Sequence, residues 1–341
     1  MSKIRIAING FGRIGRMFYR VAHKVPEFEI VAINDLMSAE TARHLLKYDS
    51  VHRRCQEEVI LESDRLITGK QSSILLHTPD PEDLPWKDMD IDIVVESTGR
   101  FTRKEDAARH LQAGARKVLI SAPAQAQDDS VPYIVLGVND DLLRPQDSIF
   151  SIASCTTNNV APLIKILDDF WEIERVFITT VHSYTRDQNI LDGPHRDLRR
   201  GRSAALSIVP TTTGAAKAVT KIFPHIAANL GGAGIRVPVP DGSLTDVTCN
   251  LKKETSVEEV NRRFKEASET YLKGILEYID EPIVSMDIIG NPHSAVFDSL
   301  LTAVIGEKNK LVKVVAWYDN EVGYSNRLKD FILKLYSLSA K

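Results

Sequence analysis

The feature that most constrains the fold is a glycine-rich turn between an alternating apolar strand and an amphipathic helix near the N-terminus. Gly10, Gly12 and Gly15 follow the spacing G-x-G-x-x-G. In such a strand–turn–helix unit, the first glycine permits a tight turn, the second lets the backbone approach a pyrophosphate, and the third lets helix and strand pack closely. Alone the motif is a weak signal, because glycines at this spacing also serve ordinary turns.

Asp35 strengthens this interpretation. It ends the next apolar strand, 20 positions beyond Gly15, where a carboxylate can bind ribose hydroxyls and repel a 2′-phosphate. The simpler alternative is that Asp35 caps the helix that follows. Strand, glycines, helix, strand and acid in this order predict a nicotinamide dinucleotide site, with NAD as the cofactor.

Further strands are predicted over 91–96, 117–121 and 133–138, with a helix over 104–113. Open parallel sheets bind ligands beyond the carboxyl ends of their strands. Three residues in such places are therefore candidate cofactor contacts, although each alone also suits an ordinary turn: Thr98, Gly99 and Ser121.

Cys155 is the candidate nucleophile. It follows the segment 148–153, which comes after a loop with Pro145 and Asp147, and it begins an apolar pattern at helical spacing, among residue types that favour helix caps. The amides and dipole of a helix N-terminus favour negative charge, so we expect them to lower the pKa of this thiol. The alternative is a buried structural cysteine.

His182 is the candidate base. It ends an apolar strand over 176–182, 27 positions after Cys155, and a βαβ-like segment of that length can bring both residues to one sheet edge. There a neutral imidazole can accept the thiol proton, and an imidazolium can donate to a developing oxyanion. The alternative is a strand-end histidine whose hydrogen bonds are satisfied within the protein.

Arginines and hydroxyls in the second half suit anion binding. A long polar stretch over 183–203 contains Arg200 within an arginine cluster, which also suits a solvated face or a subunit contact. Thr213 and Gly214 belong to a turn at a predicted helix start. Arg236 lies on an apolar strand and needs an anionic partner, either a substrate phosphate or a protein carboxylate.

Composition excludes several other classes of protein. The 341 residues suffice for two domains, and a net charge of −3 creates no basic field for nucleic acid. No apolar run approaches the length of a membrane span, and the N-terminal residues contain no apolar signal region. Three widely spaced cysteines form no metal-ligand pair and no disulfide framework. We therefore expect a cytoplasmic protein without a metal site.

Five segments together resemble the phosphorylating glyceraldehyde-3-phosphate dehydrogenases: residues 8–15, 44–52, 154–158, 182–188 and 317–324. The segment Ser-Cys-Thr-Thr-Asn at 154–158 is the most specific, and the resemblance extends from Lys3 to about Leu335. It implies an α/β fold: a Rossmann-type doubly wound parallel sheet domain, and an α+β catalytic domain with a mixed sheet. The implied boundaries are 1–154 for the NAD-binding domain, completed by the C-terminal helix at about 319–341, and 155–318 for the catalytic domain.

The resemblance also implies a role for each matching residue and a homotetramer, in which the stretch from Ser183 lies near a neighbouring subunit's cofactor. Cys155 matches the nucleophile and His182 the base. The NAD contacts are matched by Arg13, Ile14, Asp35, Ser121 and, at the nicotinamide carboxamide, Asn320. The substrate-phosphate site is matched by Thr185 and Arg236, and other contacts to substrate or attacking phosphate by Ser154, Thr156, Arg200, Thr213 and Gly214.

The implied reaction oxidises glyceraldehyde 3-phosphate with NAD through a Cys155 thioester, which inorganic phosphate then attacks to release 1,3-bisphosphoglycerate. Erythrose-4-phosphate dehydrogenase is the nearest alternative, and a non-catalytic binding protein on the same fold is another. The chain departs from common family residues at Ile152, Asn159, Arg53 and Asp241-Gly242. Asn159 stands where a second cysteine is common, so one route of oxidative pairing is lost. Gly193, beside Pro194, bears on the choice between NAD and NADP.

Overall fold

The computed structural model describes residues 3–125 and 131–339. Backbone contacts divide the chain into two compact units. The first unit takes the chain up to Ile134, residues 140–153, and the chain from Ser325 onward. The second takes residues 135–139 and 154–324.

Strands and helices alternate along the chain. In chain order they are β1 (Ile4–Asn9), α1 (Arg13–Ala22), β2 (Phe28–Asn34), α2 (Ala39–Lys47), β3 (Val59–Glu62), β4 (Arg65–Thr68), β5 (Gln71–Leu76), β6 (Ile93–Glu96), α3 (Lys104–Gln112), β7 (Lys117–Ile120), β8 (Ile149–Ser151), α4 (Cys155–Trp171), β9 (Ile173–Ser183), β10 (Val209–Thr211), α5 (Gly214–Ile222), β11 (Leu230–Val237), β12 (Ser243–Leu251), α6 (Val257–Glu269), β13 (Leu276–Ile279), β14 (Ala295–Asp298), β15 (Ala303–Ile305), β16 (Leu311–Tyr318) and α7 (Val322–Ser339).

The first unit is built on a sheet of order β3-β4-β5-β2-β1-β6-β7-β8. From β5 to β8 all pairs are parallel, and β3, β4 and β5 form antiparallel pairs at one edge. Consecutive residues of the central strand, Ile6, Ala7 and Ile8, are all fully buried. Burial on both faces is typical of a doubly wound parallel sheet, which confirms the predicted Rossmann-type fold class.

The strand predicted over 133–138 is wrong. Tyr133 forms one isolated bridge with Ser151, and residues 135–139 turn back on themselves. The carbonyl of Val135 accepts from the amides of Val138 and Asn139, and Gly137 has a φ of +77°. The apolar side chain of Val135 packs in the core of the second unit, so its hydrophobicity reflects tertiary burial and not strand pairing.

The second unit contains a mixed sheet of order β10-β11-β9-β12-β16-β14-β13, with β15 added to β16. Strand β9 runs parallel to β11 and antiparallel to β12, as the predicted mixed sheet requires. Helices α4 and α6 bury apolar side chains against this sheet; in that core the rings of Phe264 and Phe297 stack 4.0 Å apart. Among the described helices, none combines the length and the apolar character needed to cross a bilayer.

Candidate active site

The glycine turn of the first unit has the geometry that the spacing predicts. Gly10 has a φ of +95°, and a Cβ there would lie 2.5 Å from the amide nitrogen of Thr98. A Cβ at Gly15 would lie 2.0 Å from the Gly10 carbonyl oxygen, whereas a Cβ at Gly12 would meet nothing within 4 Å. Two glycines are therefore needed for close packing, and the third faces open space beside the start of α1.

Gly12 is also the N-cap of α1, and in the described chain no side chain caps that helix. The first-turn amides of an uncapped helix suit a phosphate group. Asp35 follows β2 and is half-buried; one carboxylate oxygen accepts from the amide of Phe11 at 2.6 Å, the other from the amide of Met37 at 3.0 Å. Each oxygen keeps a lone pair for a ribose hydroxyl, so these residues fit NAD.

The other cofactor candidates of this unit occupy different environments. Arg13 pairs with Asp49, and Ile14 is partly exposed in the first turn of α1. Thr98 and Gly99 follow β6, where Gly99 is exposed with a φ of +72°. Ser121 follows β7 and is partly exposed. Thr98, Gly99 and Ser121 thus lie beyond the carboxyl ends of parallel strands.

Cys155 is the first residue of α4. The Ser154 hydroxyl caps this helix by accepting from the amide of Thr157 at 3.1 Å. His182 lies near the end of β9, and its Nε2 is 3.6 Å from the Cys155 sulfur. The structure therefore brings the predicted nucleophile and base into direct contact.

The second imidazole nitrogen is held by two neighbours. Nδ1 of His182 lies 2.8 Å from the Ser183 carbonyl oxygen, and Nη1 of Arg236 lies 2.8 Å from Nδ1 and 2.9 Å from that oxygen. A role as base requires the tautomer in which Nδ1–H donates to the Ser183 carbonyl, because Nε2 is then free to accept from the thiol. In the other tautomer Arg236 donates to Nδ1, and the proton on Nε2 faces sulfur.

The expected low pKa of the Cys155 thiol is wrong for this structure. The side chain keeps some solvent access, but the protein atoms around its sulfur raise the pKa to about 11, outweighing the lowering effects of Arg236 and of the Thr156 hydroxyl and amide. Burial, followed by the positive charge of Arg236, lowers the pKa of His182 to about 3. Both changes favour a neutral thiol beside a neutral imidazole, so thiolate formation needs proton transfer during the reaction.

Tyr318, at the end of β16, is a site residue that the sequence did not reveal. Its hydroxyl lies 2.9 Å from the hydroxyl of Thr156 and 3.0 Å from that of Thr180, and its ring packs edge-on against the His182 imidazole. These contacts join the first turn of α4 to β9. Its place at the end of an apolar strand, within the family-like segment 317–324, could have pointed to it.

Arg236 and Arg200 differ in their partners. In the described part of the chain, Arg236 makes no ion pair with a carboxylate, and burial followed by the charge of Arg200 lowers its pKa. Arg200 pairs with Asp187 and donates from Nε to the Thr211 hydroxyl at 3.0 Å. Arg236 is thus the guanidinium whose charge is available to an external anion.

The remaining candidate contacts to substrate or phosphate are of two kinds: some are open to solvent, and others already hydrogen-bond to protein groups. Thr213 caps α5 by accepting from the amide of Ala215, and the exposed Gly214 begins that helix. Thr185 is partly exposed just beyond β9. Ser154 serves as a helix cap and Thr156 is buried against Tyr318, so the hydroxyls of these two already have protein partners.

Asn320 is buried, and its side chain has a defined orientation. The amide oxygen accepts from the hydroxyls of Ser183 at 2.9 Å and Ser243 at 2.8 Å. The amide nitrogen is therefore the end that can donate to a ligand.

Fold and site together define a class: an α/β protein that combines a dinucleotide-binding sheet with a thiol–imidazole site beside an arginine. Two sequence-family models match the chain. One, described as the NAD binding domain of glyceraldehyde 3-phosphate dehydrogenase, covers residues 4–104, and the other, described as its C-terminal domain, covers residues 154–320.

Curated relatives match over nearly the whole length. Glyceraldehyde-3-phosphate dehydrogenase of Thermotoga maritima is 55% identical over 329 residues, which is 96% of this chain and 97% of the relative. The enzyme of that name from Geobacillus stearothermophilus is 53% identical over 328 residues, 96% of each chain. Glyceraldehyde-3-phosphate dehydrogenase 2 of Bacillus subtilis is 50% identical over 331 residues, 97% of this chain and 96% of the relative. The chain belongs to the glyceraldehyde-3-phosphate dehydrogenase family, and its first unit contains the family's NAD-binding domain.

Proposed function

We propose that this chain catalyses the NAD-dependent, phosphorylating oxidation of glyceraldehyde 3-phosphate to 1,3-bisphosphoglycerate. The observation that carries the proposal is the 3.6 Å contact between the Cys155 sulfur and Nε2 of His182, beside the guanidinium of Arg236. A nucleophile, a base and an available positive charge suit an aldehyde that bears a phosphate.

His182 moves the protons of the oxidation step. As the Cys155 sulfur bonds to the aldehyde carbon, Nε2 takes the thiol proton and passes it to the carbonyl oxygen, which gives a hemithioacetal. Nε2 then removes that hydroxyl proton while the hydride leaves carbon, and a thioester on Cys155 results. General-base catalysis of this kind contributes typically about 10²- to 10⁴-fold to the rate.

NAD, when bound, accepts the hydride. The first-turn amides at Gly12 would hold its diphosphate, Asp35 its adenosine ribose, and Asn320 its carboxamide. Further proposed contacts of the cofactor are Gly10, Arg13, Ile14, Gly15, Thr98, Gly99 and Ser121. Asp35 favours NAD over NADP, because its carboxylate repels a 2′-phosphate.

Two anions have to be bound near one thioester. Arg236 and Thr185 are proposed to hold the substrate phosphate, supported by the absence of a carboxylate partner of Arg236 in the described chain. The exposed N-terminus of α5, with Thr213 and Gly214, is proposed to hold the attacking inorganic phosphate together with Arg200. Ser154 and Thr156 complete the proposed set, and both would have to share hydroxyls that now have protein partners.

An NADH-forming assay with glyceraldehyde 3-phosphate, with phosphate present or withheld, tests this function. We expect multiple turnovers only with phosphate, and no activity in Cys155→Ala. Cys55→Ala is the matched control, because Cys55 lies in the first unit and has no proposed role. A phosphate-independent preference for erythrose 4-phosphate would overturn the substrate assignment.

Exposed apolar side chains in the otherwise polar stretch over 183–203, which follows β9, support a homotetramer. Within it Ile190, Leu191 and Leu198 are each more than 70% exposed, as is Leu206 just beyond it. Large apolar side chains exposed together mark protein–protein contacts. Light scattering should show a tetramer for the wild-type protein and smaller species for Leu198→Asp/Leu206→Asp. A wild-type monomer would contradict this proposal.

A cytoplasmic location is supported by cysteine chemistry. All three cysteines are free, and the mechanism needs Cys155 reduced. Fractionation of cells should recover the NADH-forming activity in the cytoplasm, and recovery elsewhere would contradict the proposal. We also propose that the NAD-binding and catalytic domains divide at residues 154 and 318, supported by the break between the two compact units after residue 153.

A further inference from the structure

A buried polar cluster lies beneath the glycine turn of the first unit and takes no part in the mechanism above. Its centre is the Glu96 carboxylate at the end of β6, which is 1% exposed. One oxygen accepts from Nδ2 of Asn9 at 2.6 Å and from Nε2 of His110 at 3.1 Å. The other accepts from the amide and the hydroxyl of Thr98.

The hydrogen-bond donors of this cluster fix the tautomer of His110. Nε1 of Trp86 can only donate, and it lies 3.0 Å from Nδ1 of His110. The His110 proton is therefore on Nε2, from which it is donated to Glu96. Each oxygen of Glu96 thus accepts two hydrogen bonds and, in the described residues, no lysine or arginine pairs with it.

The cluster joins the segments that form the predicted dinucleotide site. The side-chain oxygen of Asn9 accepts from Nδ2 of Asn34, the residue before Asp35. The hydroxyl of Ser97 donates to the Gly10 carbonyl at 2.6 Å. Glu96 thus connects the glycine turn, the Asp35 segment and the Thr98 turn through buried hydrogen bonds, without itself reaching the surface.

We propose that Glu96 is a positioning residue for the dinucleotide diphosphate: its carboxylate holds the Gly10 turn and the Thr98 turn in register. The proposal rests on the NAD site of the proposed function. Loss of this carboxylate leaves the fold in place but lets the two turns separate, so groups that contact the diphosphate lose their alignment.

An exchange of carboxylate and amide tests this role. Glu96→Gln places an amide N–H₂ against the donors of Asn9 and His110, and Asn9→Asp places two carboxylates at 2.6 Å from one another. The double variant again gives each donor an acceptor, because the new amide at position 96 donates to the new carboxylate at position 9 and still accepts from Thr98. His110, which lies 3.4 Å from the Asn9 nitrogen, then donates to the carboxylate at position 9. Asp88→Asn is the control, because it removes one charge at an exposed position of the same unit.

Dissociation constants for NAD and ADP-ribose, by titration calorimetry, and for adenosine, by displacement, are the readouts. Each single variant should bind NAD and ADP-ribose at least tenfold more weakly than wild type, with adenosine changed less than threefold. The double variant should recover to within threefold. Where a single variant does not fold, Glu96→Asp replaces it, with the same expected loss because its carboxylate is withdrawn by one methylene.

Three results would overturn the proposal: single variants that bind ADP-ribose like wild type, equal losses for adenosine and ADP-ribose, or a folded double variant that does not recover. Failure of wild type to bind NAD would instead contradict the proposed function.

Discussion

Replacement of His182 by asparagine is the most informative single change at the site. The structure places Nε2 of His182 at 3.6 Å from the Cys155 sulfur, and burial raises the pKa of that thiol to about 11. Without a base, only the thiolate reacts, and at pH 7 a pKa of about 11 leaves on the order of one molecule in 10⁴ in that form. The pKa of the imidazole is lowered to about 3, so it stays unprotonated at all working pH values and its Nε2 lone pair can accept the thiol proton.

The assay is alkylation of Cys155 by iodoacetamide, a neutral reagent, between pH 6 and pH 10, followed by mass spectrometry of the Cys155 peptide. The rate of His182→Asn should rise about tenfold per pH unit, because its thiolate fraction does so below the pKa. The ratio of wild-type to variant rates should be about 10²–10⁴ near pH 6 and should shrink steadily as pH rises.

A ratio that does not change with pH would refute this reasoning, because a residue that only orients the sulfur affects thiol and thiolate alike. Cys155→Ser reports background labelling of the two buried cysteines, Cys55 and Cys249. A variant rate that levels off below pH 8 would show that burial does not raise the pKa of the thiol.

Three further predictions follow from the same geometry. Asp35→Asn removes the charge that repels a 2′-phosphate, so kcat/KM for NADP relative to NAD should rise about 10- to 100-fold. This range corresponds to about 1.5–3 kcal/mol, the free energy of a contact with a charged group. An unchanged ratio would refute the role of the carboxylate. Arg236→Gln should raise KM for glyceraldehyde 3-phosphate about 10- to 100-fold and leave unphosphorylated glyceraldehyde within threefold; equal losses with both aldehydes would contradict a phosphate contact. Gly10→Ala places a Cβ 2.5 Å from the amide of Thr98 at a φ of +95°, so urea denaturation should show a loss of about 2 kcal/mol or more. Gly12→Ala, whose Cβ has open space, should lose NAD affinity with little loss of stability, and equal destabilisation of the two variants would refute the packing argument.

Local patterns were sufficient for the parts of the structure that local chemistry determines. The glycine spacing predicts the turn after β1, because the positive φ at Gly10 and the close approach of Gly15 to the Gly10 carbonyl both arise within the turn itself. The starts of α4 and α5 also follow from the cap-forming hydroxyl residues Ser154 and Thr213, whereas α2 is capped by Ser38 and not by Asp35, the alternative that the sequence offered.

Long-range packing determines what the sequence could not show. Tyr318 reaches Thr156 and Thr180 only because β16 pairs with β12, which in turn pairs with β9. Residues 135–139 have the hydrophobicity of a strand but turn, because Val135 packs in a distant core.

The raised pKa of the Cys155 thiol likewise could not be predicted from its neighbours in the sequence. The helix does begin at Cys155, as its cap-forming neighbours predict, but the expected lowering of the pKa neglects how many atoms surround the sulfur. Burial is a property of the whole unit, and it outweighs the helix terminus here. The same limit applies to Glu96, which ends β6 in a sequence that gives no sign of its four buried donors.

The most direct test of the central claim is to look for the acyl-enzyme itself. The protein is mixed with NAD and glyceraldehyde 3-phosphate without inorganic phosphate, quenched in acid and analysed by intact mass and peptide mapping. The account predicts one phosphoglyceroyl group per chain on Cys155, formed together with one equivalent of NADH and discharged when phosphate is added. Full turnover without phosphate and without an adduct, or an acyl group on any other residue, would contradict it.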